Sequence, residues 1–278
     1  MFEKLNTLIF GLPWPLAPLS IFVFMSLVAL TAYFRKHLSL SGAIAAVLLG
    51  FAVAWCLRTE GFLLFMFFYV SSNIAGRIRK ARTAPSREIE QKSGARDHLQ
   101  VLANGLMSAL AAVYWYYSAS VTALVMFGAA VAEALSDTLA GEIGRLSYTK
   151  PVSIVTRRPV ENGVSGGVTA LGTFAGFCSS ACVAILWSAF FRTDNSTIEA
   201  IFICLGGFAG CIADSLLGGF VQAVYTDKEG RYTEKAFDAE GNANALVRGL
   251  PWMDNDMVNF ISNTFAVVLS TALYLVIR

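Results

Sequence analysis

The sequence predicts an all-α fold: a polytopic membrane helix bundle of about eight transmembrane helices, with 1–278 forming a single integral membrane domain. Three observations lead there. Of 278 residues, 56% are hydrophobic and only 14% are charged, with a mean hydropathy of +0.59. Apolar runs long enough for a hydrocarbon core of about 30 Å recur from end to end, more apolar surface than a water-soluble core can hide. The charges gather between those runs, chiefly at about 79–98, 147–165 and 226–254.

The candidate spans, in order, are 14–34, 42–57, 62–78, 101–118, 121–146, 166–191, 198–225 and 256–277. Pro13, Pro15 and Pro18 crowd the start of the first, which predicts an irregular entry. The second and third are short. The fourth and fifth almost touch, so a tight turn near Ala119 and Ser120 must join them. No small-residue cleavage site follows the first apolar run, which reads as a retained span. Cys56, Cys178, Cys182, Cys204 and Cys211 all fall in apolar segments without a CxxC, as expected of buried thiols rather than a disulfide framework or zinc site.

Basic residues orient the chain. The loop after the third span holds Arg77, Arg79, Lys80, Arg82, Arg87, Lys92 and Arg96. The loops after the first, fifth and seventh spans are also basic, whereas the even-numbered loops hold only Arg58 and Arg192. The long charged loops are therefore expected to be cytoplasmic, in a multi-pass protein whose active face is that side. Bases placed this way set topology and imply no nucleic-acid partner.

Carboxylates inside spans are costly and mark function. The fifth span carries Glu133, Asp137 and Glu142, and the seventh carries Asp214. Asp137 and Asp214 both lie 16 residues into their spans, about 24 Å deep and close to the basic side. Their surroundings resemble each other: Asp137-Thr138-Leu139 and Asp214-Ser215-Leu216 are each followed by a glycine four residues after the Asp, Gly141 and Gly218. Both spans run in the same direction, which hints at a parallel repeat. Gln222 extends the Asp214 stripe, Asn255, Asn259 and Asn263 form another beside Asp256, and Gln100 and Asn104 open the fourth span. Such groups either join helices through hydrogen bonds or form a site. Two carboxylates at one depth repel unless a cation or proton lies between them, and Mg²⁺ commonly uses one or two carboxylates plus substrate phosphates.

Between the fifth and sixth spans the chain reads Arg157-Arg158-Pro159-Val160-Glu161-Asn162-Gly163-Val164-Ser165-Gly166-Gly167 and enters the sixth directly. A glycine-rich turn feeding a helix N-terminus suits phosphate, and the two arginines add charge-assisted contacts. It is neither a Walker A sequence nor a GxGxxG fingerprint, and a simple flexible turn is the plain alternative.

The segment 136–144, the stretch 157–167 and Asp214-Ser215-Leu216-Leu217-Gly218-Gly219 with Gln222 together resemble the phytyl-phosphate kinase family of plants and cyanobacteria. The likeness extends to 40–43, to Arg96 with 100–105, and to Asn255-Asp256 with Asn259. That family is similar to the CTP-dependent prenol and dolichol kinases. The resemblance implies phosphoryl transfer from CTP, a nucleoside triphosphate, to an isoprenoid monophosphate, with Mg²⁺ as cofactor. It implies Asp137 and Asp214 on the metal, and Glu142 and Arg158 assisting catalysis. Arg157, Asn162, Gly163, Ser165, Gly166 and Gly167 would hold phosphates. Arg96, Gln100, Asn104, Gln222, Asn255, Asp256 and Asn259 would line the site. One departure stands out: Gly163 is followed by Val164 where the family usually has Thr, so Ser165 would have to supply the hydroxyl. His37 and His98 read as ordinary surface residues. A transporter, a CTP-dependent cytidylyltransferase and a phosphate-recognising scaffold are the alternatives.

Overall fold

The proline-rich start breaks the first apolar stretch in two. A short helix α1 (Phe2–Phe10) precedes α2 (Leu16–Phe34), and the prolines fall between them and in the first turn of α2, where a missing N–H costs nothing. The computed structural model describes residues 2–83 and 94–277; Arg87 and Lys92 of the third loop lie outside them.

The next helix, α3 (Leu40–Arg82), has 43 residues but is not one rod. A straight helix would hold residues 37 and 77 about 60 Å apart, yet Arg77 Nη2 lies 3.2 Å from His37 Nε2. The chain reverses at Arg58, whose backbone leaves the helical region (φ 56°, ψ −151°). Gly61 permits the turn, because a Cβ there would sit 2.3 Å from Leu57 Cβ. The two limbs of α3 are the predicted second and third spans.

Helix α1 latches this turn. Asn6 Nδ2 donates to both carboxylate oxygens of Glu60, at 3.2 and 3.0 Å, and its Oδ1 accepts from the Thr59 hydroxyl at 2.7 Å. The Arg58 guanidinium lies 5.1 Å over the Phe10 ring. Asn6→Ala leaves the Thr59 hydroxyl and Glu60 without these partners, at a cost of about 1–3 kcal/mol. A lowered unfolding midpoint of the detergent-purified protein is the expected result, and an unchanged midpoint removes the latch.

Helix α4 (His98–Ser118) begins with a capping box between Asp97 and Gln100 and ends at Ala119 in the left-handed region (φ 48°). Ser120 caps α5 (Val121–Gly144), so the tight turn falls where the sequence placed it. Then follow α6 (Ala170–Phe190), α7 (Ser196–Phe220) and α8 (Asn255–Ile277). Among the described residues six helices are long and apolar enough to cross a membrane: α2, α3, α5, α6, α7 and α8. With α3 counted as two limbs and α4 packed against α3, α5 and α8, the bundle matches the expected eight or so passes.

Helix α5 is the axis, packing against α3, α4, α6, α7 and α8. Small residues let its neighbours approach, as membrane helices require when apolar burial alone does not drive association. A Cβ on Gly172 of α6 would sit 2.6 Å from the Ala140 carbonyl oxygen, and the Ser136 hydroxyl donates to the Gly176 carbonyl at 2.8 Å. Trp187, fully buried, donates its indole N–H to the Leu124 carbonyl at 2.8 Å.

Two boundaries differ from the sequence reading. The sixth span does not start at Gly166: Gly167–Val168 form strand β2, paired with β1 (Val152–Ser153), and Thr169 caps α6 by accepting from Gly172 N. The seventh ends at Phe220, and Val224–Thr226 is β3, the centre of an antiparallel sheet with β4 (Tyr232–Thr233) and β5 (Ala245–Arg248). Apolar character does not distinguish a buried strand from the end of a helix. Both small sheets lie on the face that carries the long charged loops.

Candidate functional site

Parallel helices α5 and α7 bring Asp137 and Asp214 together, with their carboxyl groups within hydrogen-bonding reach of each other. Helix α8 supports the pair from behind. In the orientation that satisfies its hydrogen bonds, the Asn259 amide donates to Asp214 Oδ2 at 2.9 Å and to the Asn255 carbonyl at 3.3 Å. The Ser262 hydroxyl lies 3.2 Å from Asp214 Oδ2 and 2.8 Å from Glu133 Oε1, and so bridges the two acids. Glu133, one turn deeper on α5, also accepts from Asn263 Nδ2 at 2.6 Å. Gly210 makes room for it: a Cβ there would stand 2.5 Å from Glu133 Cγ. Two ionised carboxylates at about 4 Å repel by about 4 kcal/mol at an effective dielectric near 20. The pair therefore calls for a proton or a cation between its members.

The sequence-level likeness of the two Asp segments acquires a division of labour. A Cβ on Gly141 would meet nothing within 4 Å, so this turn of α5 faces open space. Gly218 and Gly219 instead receive the glycine-rich loop, and a Cβ on Gly166 (φ 79°) would sit 2.4 Å from Gly219 Cα. The loop is held from both sides. Arg248 Nη2 donates to the Ser165 carbonyl at 3.1 Å and to the Gly218 carbonyl at 2.9 Å. The Ser165 hydroxyl donates to Glu234, which also accepts from Gln222 Nε2 at 2.9 Å.

These groups open onto a cavity of about 700 Å³. From α4 and the segment before it, Arg96, Gln100 and Asn104 line it; from α5, Asp137 and Glu142. The glycine loop contributes Asn162, Gly163, Ser165, Gly166 and Gly167, α7 and its end Asp214 and Gln222, and α8 Asn255, Asp256 and Asn259. Some of these side chains are already engaged. Gln100 closes the capping box of α4 by accepting from Asp97 N at 3.1 Å, and Glu142 accepts from Arg79 Nε at 2.5 Å. Arg157 and Arg158 do not line the cavity. Arg157 N donates to the Ser153 carbonyl and the Arg158 carbonyl accepts from Ser153 N, so residues 153–158 fold back as a tight turn and leave both side chains exposed.

Other cations line the cavity instead: Arg35, Lys36, Arg77, Arg79, Lys80 and Arg145. His37 is among them and not an ordinary surface residue. Its Nδ1 lies 3.2 Å from the Tyr69 hydroxyl and its Nε2 accepts from Arg77, so the ring is neutral with the proton on Nδ1. Burial, then Arg77, Arg35 and Arg96, hold the His37 imidazole below its usual value. The sequence reading gave no site role to Glu234, directly after β4, or to Arg248, the last residue of β5, because such short strands carry no hydrophobic periodicity. Among the described residues, no group of three or more His, Cys, Asp or Glu side chains converges to hold a metal ion. The donors present are a carboxylate pair with an amide beside it, which suits a hard cation completed by ligand phosphates.

Fold and site define a multi-pass helical membrane protein whose facing carboxylates open onto a cation-lined cavity. The chain belongs to the family described as Integral membrane protein DUF92, which it matches over residues 23–267. It is 31% identical to Protein PGR of Arabidopsis thaliana over 273 residues, covering 86% of this chain and 90% of that protein. It is 26% identical over 231 residues to Protein VTE6, chloroplastic, of the same plant, covering 81% of this chain and 62% of that one. An uncharacterized membrane protein of Methanocaldococcus jannaschii is 29% identical over 183 residues, covering 65% of this chain and 73% of that protein. These relatives support the phytyl-phosphate kinase-like resemblance read from the motifs. No solved structure matches the chain.

Proposed function

We propose that this protein is a CTP-dependent kinase that phosphorylates an isoprenoid monophosphate, of phytyl or geranylgeranyl type, to the diphosphate at the cytoplasmic membrane face. The observation that carries the reading is the Asp137–Asp214 pair, half-buried at membrane depth beside a loop whose glycine is pressed against a helix end and facing a cavity rich in cations. Phosphoryl transfer asks chiefly for positioning and charge neutralisation. An oxygen of the lipid phosphate attacks the terminal phosphorus of CTP, the bond to the bridging oxygen breaks, and CDP leaves. The acceptor is already an anion, so no general base is required. Arg96 and the cations beside it neutralise phosphate charge, while Ser165, Gly166 and Gly167 offer the loop backbone as a cradle. Asp137 and Asp214, with Asn259 alongside, would hold Mg²⁺, which when bound supplies charge neutralisation to the phosphates. Arg157 and Arg158 would reach a ligand only where it protrudes from the cavity.

The test is transfer by the purified protein supplied with Mg²⁺, γ-labelled CTP and phytyl or geranylgeranyl monophosphate. Labelled lipid diphosphate is the expected product. Label carried to lipid from α-labelled CTP alone makes the protein a cytidylyltransferase, and no transfer from any nucleotide by folded protein sinks both.

A further inference from the structure

The cavity has two unlike arms. One is walled by α5, α7, α8 and the glycine loop and carries the carboxylate pair. The other runs between α2 and the two limbs of α3. Along the second limb of α3, the cavity-facing positions Phe62, Met66, Tyr69, Asn73 and Lys80 recur at helical spacing, so one face of this limb borders the cavity over its length. From Phe62 to Lys80 that face covers about 27 Å, close to the thickness of a hydrocarbon core.

The chemistry changes steadily along it. At the far end Phe62, Phe65 and Met66 line it together with Met25 of α2, against whose cluster Phe62 packs. Tyr69, Ser72 and Asn73 follow, and Arg77, Arg79 and Lys80 close the near end, where Arg35 and Lys36 follow the end of α2. Glycines let the side chains that wall the arm lie close against the neighbouring helices. A Cβ on Gly50 would stand 2.9 Å from Met25 Sδ, and one on Gly105 would stand 2.9 Å from Leu49 Cδ1 and 3.4 Å from Phe65 Cζ. An apolar bore under a cationic rim, on the same two elements, complements a molecule with an anionic head and one long hydrocarbon tail. The Arg79–Glu142 ion pair joins this arm to α5, four residues past Thr138 and next to Gly141 at the carboxylate side.

We infer that the lipid substrate occupies the α2–α3 arm, its hydrocarbon tail between Met25, Phe62 and Met66 and its phosphate on the rim of Arg35, Arg77 and Lys80, which leaves the glycine-loop side to the nucleotide. This rests on the lipid-phosphate reading above and assigns its two substrates to opposite walls. Tail length is then measured at the far end, where Phe62 and Met66 approach the α3 turn.

Photolabelling tests the placement without requiring turnover. The full-length protein in nanodiscs is irradiated with geranylgeranyl monophosphate bearing a diazirine at the tail terminus, and labelled peptides are mapped. Label at Met25, Phe62 or Met66, displaced by excess geranylgeranyl monophosphate but not by CTP, is the expected result. Label on the outward faces of α6 or α8, or label that the competitor leaves in place, overturns the inference even if transfer occurs. Label in the arm with no transfer under any nucleotide keeps the arm and sinks the kinase. Met66→Trp supplies the second measurement. It shortens the bore and should weaken competition by geranylgeranyl monophosphate about tenfold, the equivalent of about two buried methylenes, with geranyl monophosphate unaffected. Equal effects on the two lipids place the length limit elsewhere.

Discussion

Asp214→Asn lowers lipid-diphosphate formation by about 10²–10³-fold, the scale on which single preorganised electrostatic contacts act in active sites, while the bundle stays folded. Asn is close to Asp in shape, and its carbonyl can still accept from Asn259 and from Ser262, which hold Asp214 at 2.9 and 3.2 Å. What it removes is one of two facing negative charges. If the pair exists to bind a cation with phosphate ligands, activity falls and affinity for Mg²⁺ falls with it. Stability should move the other way. Taking away a like charge beside Asp137 relieves a repulsion of up to about 4 kcal/mol, so the unfolding midpoint is expected to hold or rise in metal-free buffer. A variant that keeps its transfer rate but melts several degrees lower shows the pair to be helix glue and not a site. The two readouts in opposite directions make the distinction.

Gly166→Ala gives the second large effect. This residue combines a left-handed backbone with a Cβ direction that points at the backbone of Gly219, 2.4 Å from its Cα and 2.6 Å from its N. Neither atom is the end of a flexible side chain, so the loop must lift off α7. That movement breaks the two Arg248 hydrogen bonds that tie Ser165 to Gly218. The expected cost is about 2–3 kcal/mol, the sum of backbone strain and lost loop contacts, with transfer activity near background. Gly230→Ala is the matched control. Gly230 also has a positive φ, 74°, but a Cβ there meets nothing within 4 Å. It should show the strain alone and transfer at close to the parent rate. Equal losses in the two variants mean that the seat on α7 is unimportant.

Much of the site could be read from residue identity and depth. Asp137 and Asp214 were legible because a carboxylate in an apolar run has few reasons to be there, and because counting residues along two spans of the same direction gives their relative depth. The stripes on α4, α7 and α8 follow from helical periodicity, and their members line the cavity. Arg157 and Arg158 show the limit: adjacent to the glycine loop in sequence, they are carried away from the cavity by a turn six residues long whose hydrogen bonds no pattern announces. His37, Arg79 and Arg248 show the converse. Their contacts at or beside the cavity come from residues about 30 to 80 positions distant, such as the Arg248 contact to Ser165.

By itself the sequence determined that the chain is a multi-pass helical membrane protein, where its spans lie to within a few residues, and that two aspartates share a depth. These follow from local properties: apolar length, charge placement and the rise of a helix. Only the tertiary structure decided which way those aspartates face, that a 43-residue helix is a hairpin, that the glycine loop docks on α7 instead of opening α6, and that the cavity has an apolar arm as well as an acidic one. Those depend on which helix faces meet, and in a membrane that choice falls to close-approach glycines and buried polar contacts between distant segments, since lipid tails are as apolar as the side chains they touch.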